Sequence, residues 1–580
     1  MTEETNQTEV DLADPQSTAK LKPEAAPVAE DKSGLAETAE RREEEAAQER
    51  RAQEARKTQR KIRAKSRTTV LARLLKTRSR VNKNTIAIEE ADGNTVTYEK
   101  LLQGVFALGS AFRRHTAKGE NVGVLMPTSA GGVIVFLACQ VYGRVPAMLN
   151  FSAGTKNLFS AMRTGKIKTI ITAHKFIELA ELQDLVEELK TKAEIIYLED
   201  LRENLTTVDK LCAVVGPIFP ALVRRPLDPE QPGVVLFTSG TEGEPKGVVL
   251  SQQNLVANVE QIKEHVELDP NDIIFNPLPI FHSYGLTAGA LFPLLDGKKL
   301  VPYPSPLHVK IVPEVIRKTG ATIIFATDTF LHRYLKSARE GALSSLRYAV
   351  CGAEHVKDET RALARSRFGF NVLEGYGMTE AAPVVAANQP GDIRPGTVGK
   401  LLPGIETRLE PVDGLTSGGR LFLRGPNVMK GYLKPDNPGV IVPLEEGWHD
   451  TGDIVHIDGG GYMSIRGRVK RFAKLGGEMV SLAVVENCAS VVWPDFLHAA
   501  VILPDPKKGE QIILMTECQD PDRSLLLSWA QSHGVPELAV PRKILSVEDI
   551  PTLGSGKVDY VLLTSMAKKK MAEDQNASAG

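Results

Sequence analysis

Hydroxyls, glycines and a single lysine crowd the stretch Thr238, Ser239, Gly240, Thr241, Gly243 and Lys246. Small residues let backbone N–H groups approach phosphate oxygens while an ammonium offsets their charge, so these types in this order suit a polyphosphate. A Walker-type loop needs Ser or Thr after its lysine to hold magnesium, and Gly247 stands there instead. A G-x-S-x-G nucleophile elbow is excluded by Phe237, two positions before Ser239. Without its neighbours the stretch reads equally well as a Gly-rich connector between two strands.

Three further stretches carry chemistry. Gly375-Tyr376-Gly377-Met378-Thr379-Glu380 offers a ring to stack on a base, a hydroxyl for a phosphate oxygen and a carboxylate for Mg2+; the same residues also make a strand-to-helix turn capped by Thr379. Thr451-Gly452-Asp453 ends in an acid suited to two ribose hydroxyls, with Arg468 a candidate second contact, although T-G-D is also a plain turn. Pro551 to Lys557 presents one lysine on a Gly/Ser loop, which alone is a surface lysine.

The elements that must position these groups alternate. Ile86–Thr97, around Asp92-Gly93, reads as a hairpin; short β-branched runs at Val122–Met126, Ala147–Asn150, Thr169–Ile171, Ile195–Tyr197, Val234–Phe237, Ile323–Phe325, Tyr348–Val350 and Val372–Glu374 are separated by helical stretches. This pattern predicts an α/β fold: a large domain of mostly parallel sheets flanked by helices, with a β-rich subdomain after about Pro411, then a small, mobile α+β domain. At 580 residues more than one core is expected. The boundaries read as a disordered and charged helical arm over 1–68, a large ATP- and acyl-binding domain over 69–467, a small lid domain over 468–565 and a disordered tail over 566–580.

A balance of 71 Lys+Arg against 72 Asp+Glu gives no global attraction to nucleic acid. Five widely spaced cysteines without a C-x-x-C pair argue against a disulfide framework or zinc site and for a reducing compartment. The first residues show no secretory signal, and Val122–Leu149 is too interrupted to span a membrane, so a cytoplasmic location is expected. Twelve basic residues and no acid between Arg56 and Lys83, interleaved with Val70, Leu71, Leu74 and Leu75, suit peripheral contact with an anionic membrane or a charged linker.

Taken together, T-S-G-T-x-G-x-P-K-G, Y-G-M-T-E, T-G-D, G-R-V-K and P-x-x-x-x-G-K resemble the ordered motifs of the adenylate-forming (AMP-binding) superfamily, over about Thr85 to Leu563. The resemblance implies ATP and Mg2+ as cofactors, Thr238, Ser239, Thr241 and Lys246 on the phosphates, and Tyr376 on adenine with Gly352, Ala353 and Glu354 at its edge. It also implies Gly377 and Thr379 beside the nucleotide, Asp453 and Arg468 on the ribose, and Glu380, joined by Thr238, on magnesium. Lys557 would meet the substrate carboxylate and α-phosphate, Lys470 would be the hinge between domains, and His282 would lie beside the acyl site. One departure is Tyr560, where the family often has an arginine.

Within the superfamily the chain is most similar to the acyl-acyl-carrier-protein synthetase half of a bifunctional 2-acylglycerophosphoethanolamine acyltransferase, through Asn258–Lys263, Tyr303–His308, Arg471–Leu482 and His533–Arg542. The acyltransferase half's H-x-x-x-x-D is not in this chain. The function implied is an ATP-dependent long-chain fatty acid ligase that forms acyl-AMP and then an acyl thioester on acyl carrier protein. The alternatives are a CoA ligase and, in another class, a non-catalytic membrane-surface or scaffolding protein. The basic run Arg466, Arg468, Lys470, Arg471 and Lys474 suits an acidic carrier protein, CoA phosphates or AMP alone, and the resemblance favours the carrier protein.

Overall fold

The computed structural model describes residues 32–580, except 225, 240–243, 413–414, 416, 476–477, 506–508, 553–557 and 580. Contacts divide the chain into Met1–Ala47 and Gln48–Gly580. The described part of the first unit is the opening of a helix, Lys32–Ser66. Everything below concerns the second.

Short runs of β-branched residues become strands because both faces of their sheets are covered. Val145–Met148 and Ile323–Ala326 are buried at every position, the pattern of central parallel strands under helices. One sheet has nine strands, in the order Lys400–Leu401, Val384–Ala387, Asn371–Gly377, Tyr348–Cys351, Ile323–Ala326, Ile273–Asn276, Lys299–Pro302, Ile86–Glu89 and Thr95–Thr97. Its centre is parallel and its edges antiparallel. A second sheet has eight, running Asn437–Pro443, Gly431–Lys434, Pro245–Ser251, Pro232–Ser239, Val145–Met148, Asn121–Val124, Thr169–Thr172 and Glu194–Tyr197.

Helices between them start on side-chain caps: Thr97 accepts from the Lys100 N–H, Ser129 from Gly132, and Ser251 forms a capping box with Asn254. Ala130–Val141, apolar nearly all round, lies buried in the core. Among the described residues no helix is long and apolar enough to cross a membrane.

The β-rich subdomain is a four-stranded antiparallel sheet, Glu406–Glu410, Gly419–Arg424, His449–Ile457 and Met463–Arg468. After the short helical turn Val469–Arg471 the chain enters another sheet, in which Glu478–Ser481, Phe472–Leu475, Gly509–Thr516 and His498–Asp505 are joined by Lys543–Ser546. Helices Leu482–Val492 and Arg523–Ser532 share one hydrophobic cluster of this region.

Three expectations need correction. The basic segment does not offer its apolar residues to a membrane: Val70, Leu71 and Leu74 are fully buried in the main core, and Arg73 pairs with Glu260 at 2.7 Å. Nor does the charged helical arm expected over 1–68 stay apart from the folded domain, since Ile62 is fully buried and Arg56, Lys61 and Lys65 reach Glu406 and Glu264. The tail expected to be disordered from 566 is helical within Tyr560–Ala579, because Leu563 and Ala567, four residues apart, bury against the strand His498–Asp505.

Candidate active site

The phosphate-type loop joins two antiparallel strands. Thr238 pairs with Lys246 and Ser239 with Pro245 across these two strands. A strand rather than a helix follows, so any anion here relies on N–H groups, hydroxyls and Lys246 without a helix terminus. Gly240, Thr241 and Gly243 lie outside the described residues, as do the Ser239 side chain and Lys557.

Thr238 and Lys246 line a cleft of about 1660 Å3, together with Gly352, Ala353, Tyr376, Gly377, Thr379, Glu380, Asp453, Arg468, Lys470 and His282. Twelve predicted positions from distant segments thus share one hollow. Tyr376 lies near the end of the strand Asn371–Gly377, and its hydroxyl donates to Asp453 Oδ2 at 2.5 Å. Burial and then the Asp453 charge push the Tyr376 phenol well above its ordinary range, keeping it a donor. Arg468 Nε donates to Asp453 Oδ1 at 2.8 Å. The carboxylate is almost fully buried, with its side chain 3% exposed. A carboxylate has about four lone-pair sites, so these two bonds leave room for two ribose hydroxyls.

Gly377 is required by packing: a Cβ there would stand 2.3 Å from the Pro383 carbonyl oxygen. Ala353, at φ 70°, and Ala382, at φ 64°, are non-glycine residues in the left-handed region beside the cleft, the sort of strain that clusters at functional sites.

Glu380 sits in the one-turn helix Thr379–Ala381 and accepts from the Tyr432 hydroxyl at 2.8 Å. Tyr432 is raised by burial and then by the Glu380 charge, so it too remains protonated. The Lys246 ammonium stands 5.9 Å from the centre of the same ring. Tyr432 therefore ties the lysine of one segment to the carboxylate of another. Sequence reasoning missed it, because Gly431–Lys434 joins the eight-stranded sheet beside Pro245–Ser251, a pairing between segments almost two hundred positions apart. Arg420 was missed as well; it lines the cleft and forms a two-pronged pair with Asp450. Burial lowers His449, which holds it neutral beside these carboxylates.

One expected residue sits differently from its implied role. Glu354 does not line the cleft: its carboxylate accepts from Thr329 N and Oγ1 at 3.0 and 2.9 Å, capping a helix start. Its neighbours Gly352 and Ala353 remain on the wall. Lys470 occupies the turn Val469–Arg471 between two sheets. Tyr560 receives the Arg471 guanidinium on its ring at 3.9 Å and donates to Glu486, which Arg471 also contacts at 2.6 Å. The cation absent at position 560 is thus supplied from the turn. Thr552, which bridges to Val558, lines the cleft.

Away from the polar wall, the cleft is lined by Ile262, Val266, Leu278, Phe292, Ile323 and Phe325. The His282 ring lies against Phe281 at 4.8 Å between centroids, and Phe281 meets Phe151 edge-on. A π-helix, Tyr284–Leu291, begins two residues later, a distortion common near binding sites. Among the described residues no group of three His, Cys, Asp or Glu side chains could cage a metal. A lone Glu380 carboxylate instead fits Mg2+, which typically takes one or two carboxylates and completes its shell with phosphates and water.

Comparison with known proteins agrees with this geometry. The family described as AMP-binding enzyme matches residues 75–433. The sulfoacetate–CoA ligase of Cupriavidus necator is 30% identical over 489 residues, covering 82% of this chain and 93% of that protein. The medium-chain fatty-acid–CoA ligase of Escherichia coli is 25% identical over 512 residues, covering 84% and 89%. The o-succinylbenzoate–CoA synthetase of Bacillus subtilis, solved with ATP and magnesium, superposes with a TM-score of 0.70 at 22% identity, over 84% of this chain and 98% of that one. The chain belongs to the AMP-binding enzyme family and has the adenylate-forming fold.

Proposed function

We propose that the protein is an AMP-forming acid–thiol ligase that activates a long-chain fatty acid. The single observation that carries this reading is the meeting of Lys246, Tyr376, Glu380, Asp453 and Arg468 in a cleft whose other wall is apolar. Its volume of about 1660 Å3 exceeds the usual small-ligand pocket of about 300–1,000 Å3, leaving space for an apolar chain beside a nucleotide.

A carboxylate is a poor electrophile at neutral pH. In the first step the acid's carboxylate attacks the α-phosphorus of ATP and pyrophosphate leaves, forming a mixed anhydride. In the second a thiolate attacks the acyl carbon, AMP departs with the bonding electrons, and the thiol proton passes to solvent. No protein nucleophile is required; position and charge neutralisation supply the acceleration. Tyr376 and Asp453 orient the nucleoside, with Arg468 steadying the Asp453 carboxylate. Lys246, Thr238, Ser239 and Thr241 hold the phosphates, and Lys557 meets the developing anhydride. Glu380 and the Thr238 hydroxyl would hold Mg2+, which when bound neutralises phosphate charge. His282 lines the same cleft, against Phe281.

CoA is the acceptor in the first reading, supported by the CoA-ligase names of the relatives. A second reading, an acidic carrier protein, is favoured by the exposed Arg466, Lys470 and Lys474, which have no ion-pair partner among the described residues. The test is pyrophosphate release from Mg-ATP with palmitate, followed by thioester analysis with CoA or with carrier protein. Palmitate-dependent release, abolished in Lys557→Ala, is expected. Silence across short, aromatic and long acids would instead support a non-catalytic protein. Thioester only on carrier protein would select the second acceptor.

A further inference from the structure

The helix Thr207–Val215 is inside out. The residue it buries is Asp209, while Val208, Leu211 and Val214 are exposed by 59–61%. The chain continues through Ile218 and Phe219, 60% and 58% exposed, to Leu222 at 78%. Six of the nineteen strongly exposed large apolar residues among those described fall within these fifteen positions. Scattered exposure of that kind is ordinary; a contiguous patch on one short segment marks a contact surface.

Charge decides among the candidate partners. Asp209 is spent internally, accepting from Thr206 and, at 2.6 Å, from Arg114. Lys210 is exposed on the same helix, and Arg113 lies over the Tyr142 ring, whose hydroxyl contacts Cys212. Arg224 closes the segment with Nε and Nη1 buried and without a hydrogen-bond partner. None of Lys210, Arg113 and Arg224 has a carboxylate within ion-pair distance among the described residues. An apolar ridge with an aromatic tip and the exposed cations Lys210 and Arg113 beside it matches a lipid surface bearing phosphates: the side chains sink to the headgroup boundary while the cations stay at its level. A second copy of this face would set cation against cation.

We propose that residues 208–222 dock the protein on an anionic lipid bilayer, with Leu211, Ile218, Phe219 and Leu222 inserted and the exposed Lys210 and Arg113 on lipid phosphates. These residues lie outside the basic segment at 56–83 and are not among those lining the cleft, and the proposal stands whether or not the acid is a fatty acid.

The experiment is flotation of the full-length protein with vesicles of phosphatidylcholine alone and of phosphatidylcholine mixed equally with phosphatidylglycerol. The expected result is binding to the anionic vesicles, weakened on the order of tenfold by salt or by Lys210→Glu, and by a similar factor in Phe219→Ser/Leu222→Ser. Pyrophosphate release in solution and the melting temperature should be unchanged in these variants, which reports an intact fold. Failure of the parent protein to float with either vesicle would overturn the proposal, as would binding indifferent to both sets of changes. Dimers in solution that dissociate in the serine variant would do so too, assigning the patch to a second copy.

Discussion

At the scale of single residues, Tyr432 is the joint of the candidate site. Its hydroxyl fixes the Glu380 carboxylate and its ring faces the Lys246 ammonium. A hydrogen bond to a charged group contributes about 1.5–3 kcal/mol. Losing this one frees a carboxylate needed in one orientation, without removing the carboxylate itself. Tyr432→Phe is therefore expected to lower kcat/KM for adenylation on the order of tenfold, a loss of about 1.4 kcal/mol. It should also shift the Mg2+ dependence of pyrophosphate release to higher concentration. That shift separates positioning of a metal-binding group from general damage: a variant with lower activity but an unmoved Mg2+ titration would remove Tyr432 from this role.

At the scale of elements, the helix ending at Ser66 acts as a clamp across parts of the chain that are distant in sequence. Arg56 donates to Glu406 of the four-stranded sheet, and Lys61 and Lys65 both reach Glu264 on the helix Gln252–His265. The cations of these pairs are largely exposed and contribute little, so the attachment rests mainly on Ile62, which is fully buried. Ile62→Ala is expected to destabilise the protein by about 2 kcal/mol, the lower end for such a truncation, read as a lower urea midpoint. A change under about 0.5 kcal/mol would mean that the helix is not clamped there. Periodicity could not disclose this contact, because one isoleucine among alanines, glutamates and arginines gives no apolar stripe. For the same reason the inverted helix Thr207–Val215 was illegible: Leu211 and Val214 have the spacing of a core face, and only the packed neighbours reveal that they point outward. The central strands, by contrast, were readable at once, since runs such as I-I-F-A are short, β-branched and buried on both sides.

Across the whole molecule, the site was legible where its chemistry is concentrated in one segment and hidden where it is divided between segments. Tyr376, Glu380 and Asp453 stand in short motifs that carry their own meaning; Tyr432 and Arg420 acquire theirs only from sheet pairing and the closing of the cleft. Glu354 shows the converse, a motif position whose carboxylate is committed to Thr329. The proposed two-step reaction places opposed demands on this architecture, because the loop bearing Lys557 must attend the first step and give way to a thiol in the second. The region beyond Phe472 has its own hydrophobic clusters and reaches the cleft through Thr552 and Tyr560, so a turn at Lys470 is the economical way to exchange the two faces. Proline confines φ to about −65°, within the range of the short helical turn that Lys470 now occupies. Lys470→Pro should therefore favour the present arrangement and restrict the alternatives. ATP–pyrophosphate exchange with the acid is expected to stay within about threefold of the parent, while thioester formation from the enzyme-bound acyl-adenylate falls by on the order of a hundredfold. Single-turnover measurement of each half-reaction checks this. Equal loss of both would place Lys470 in the chemistry of the first step, and equal retention would move the hinge elsewhere in the chain.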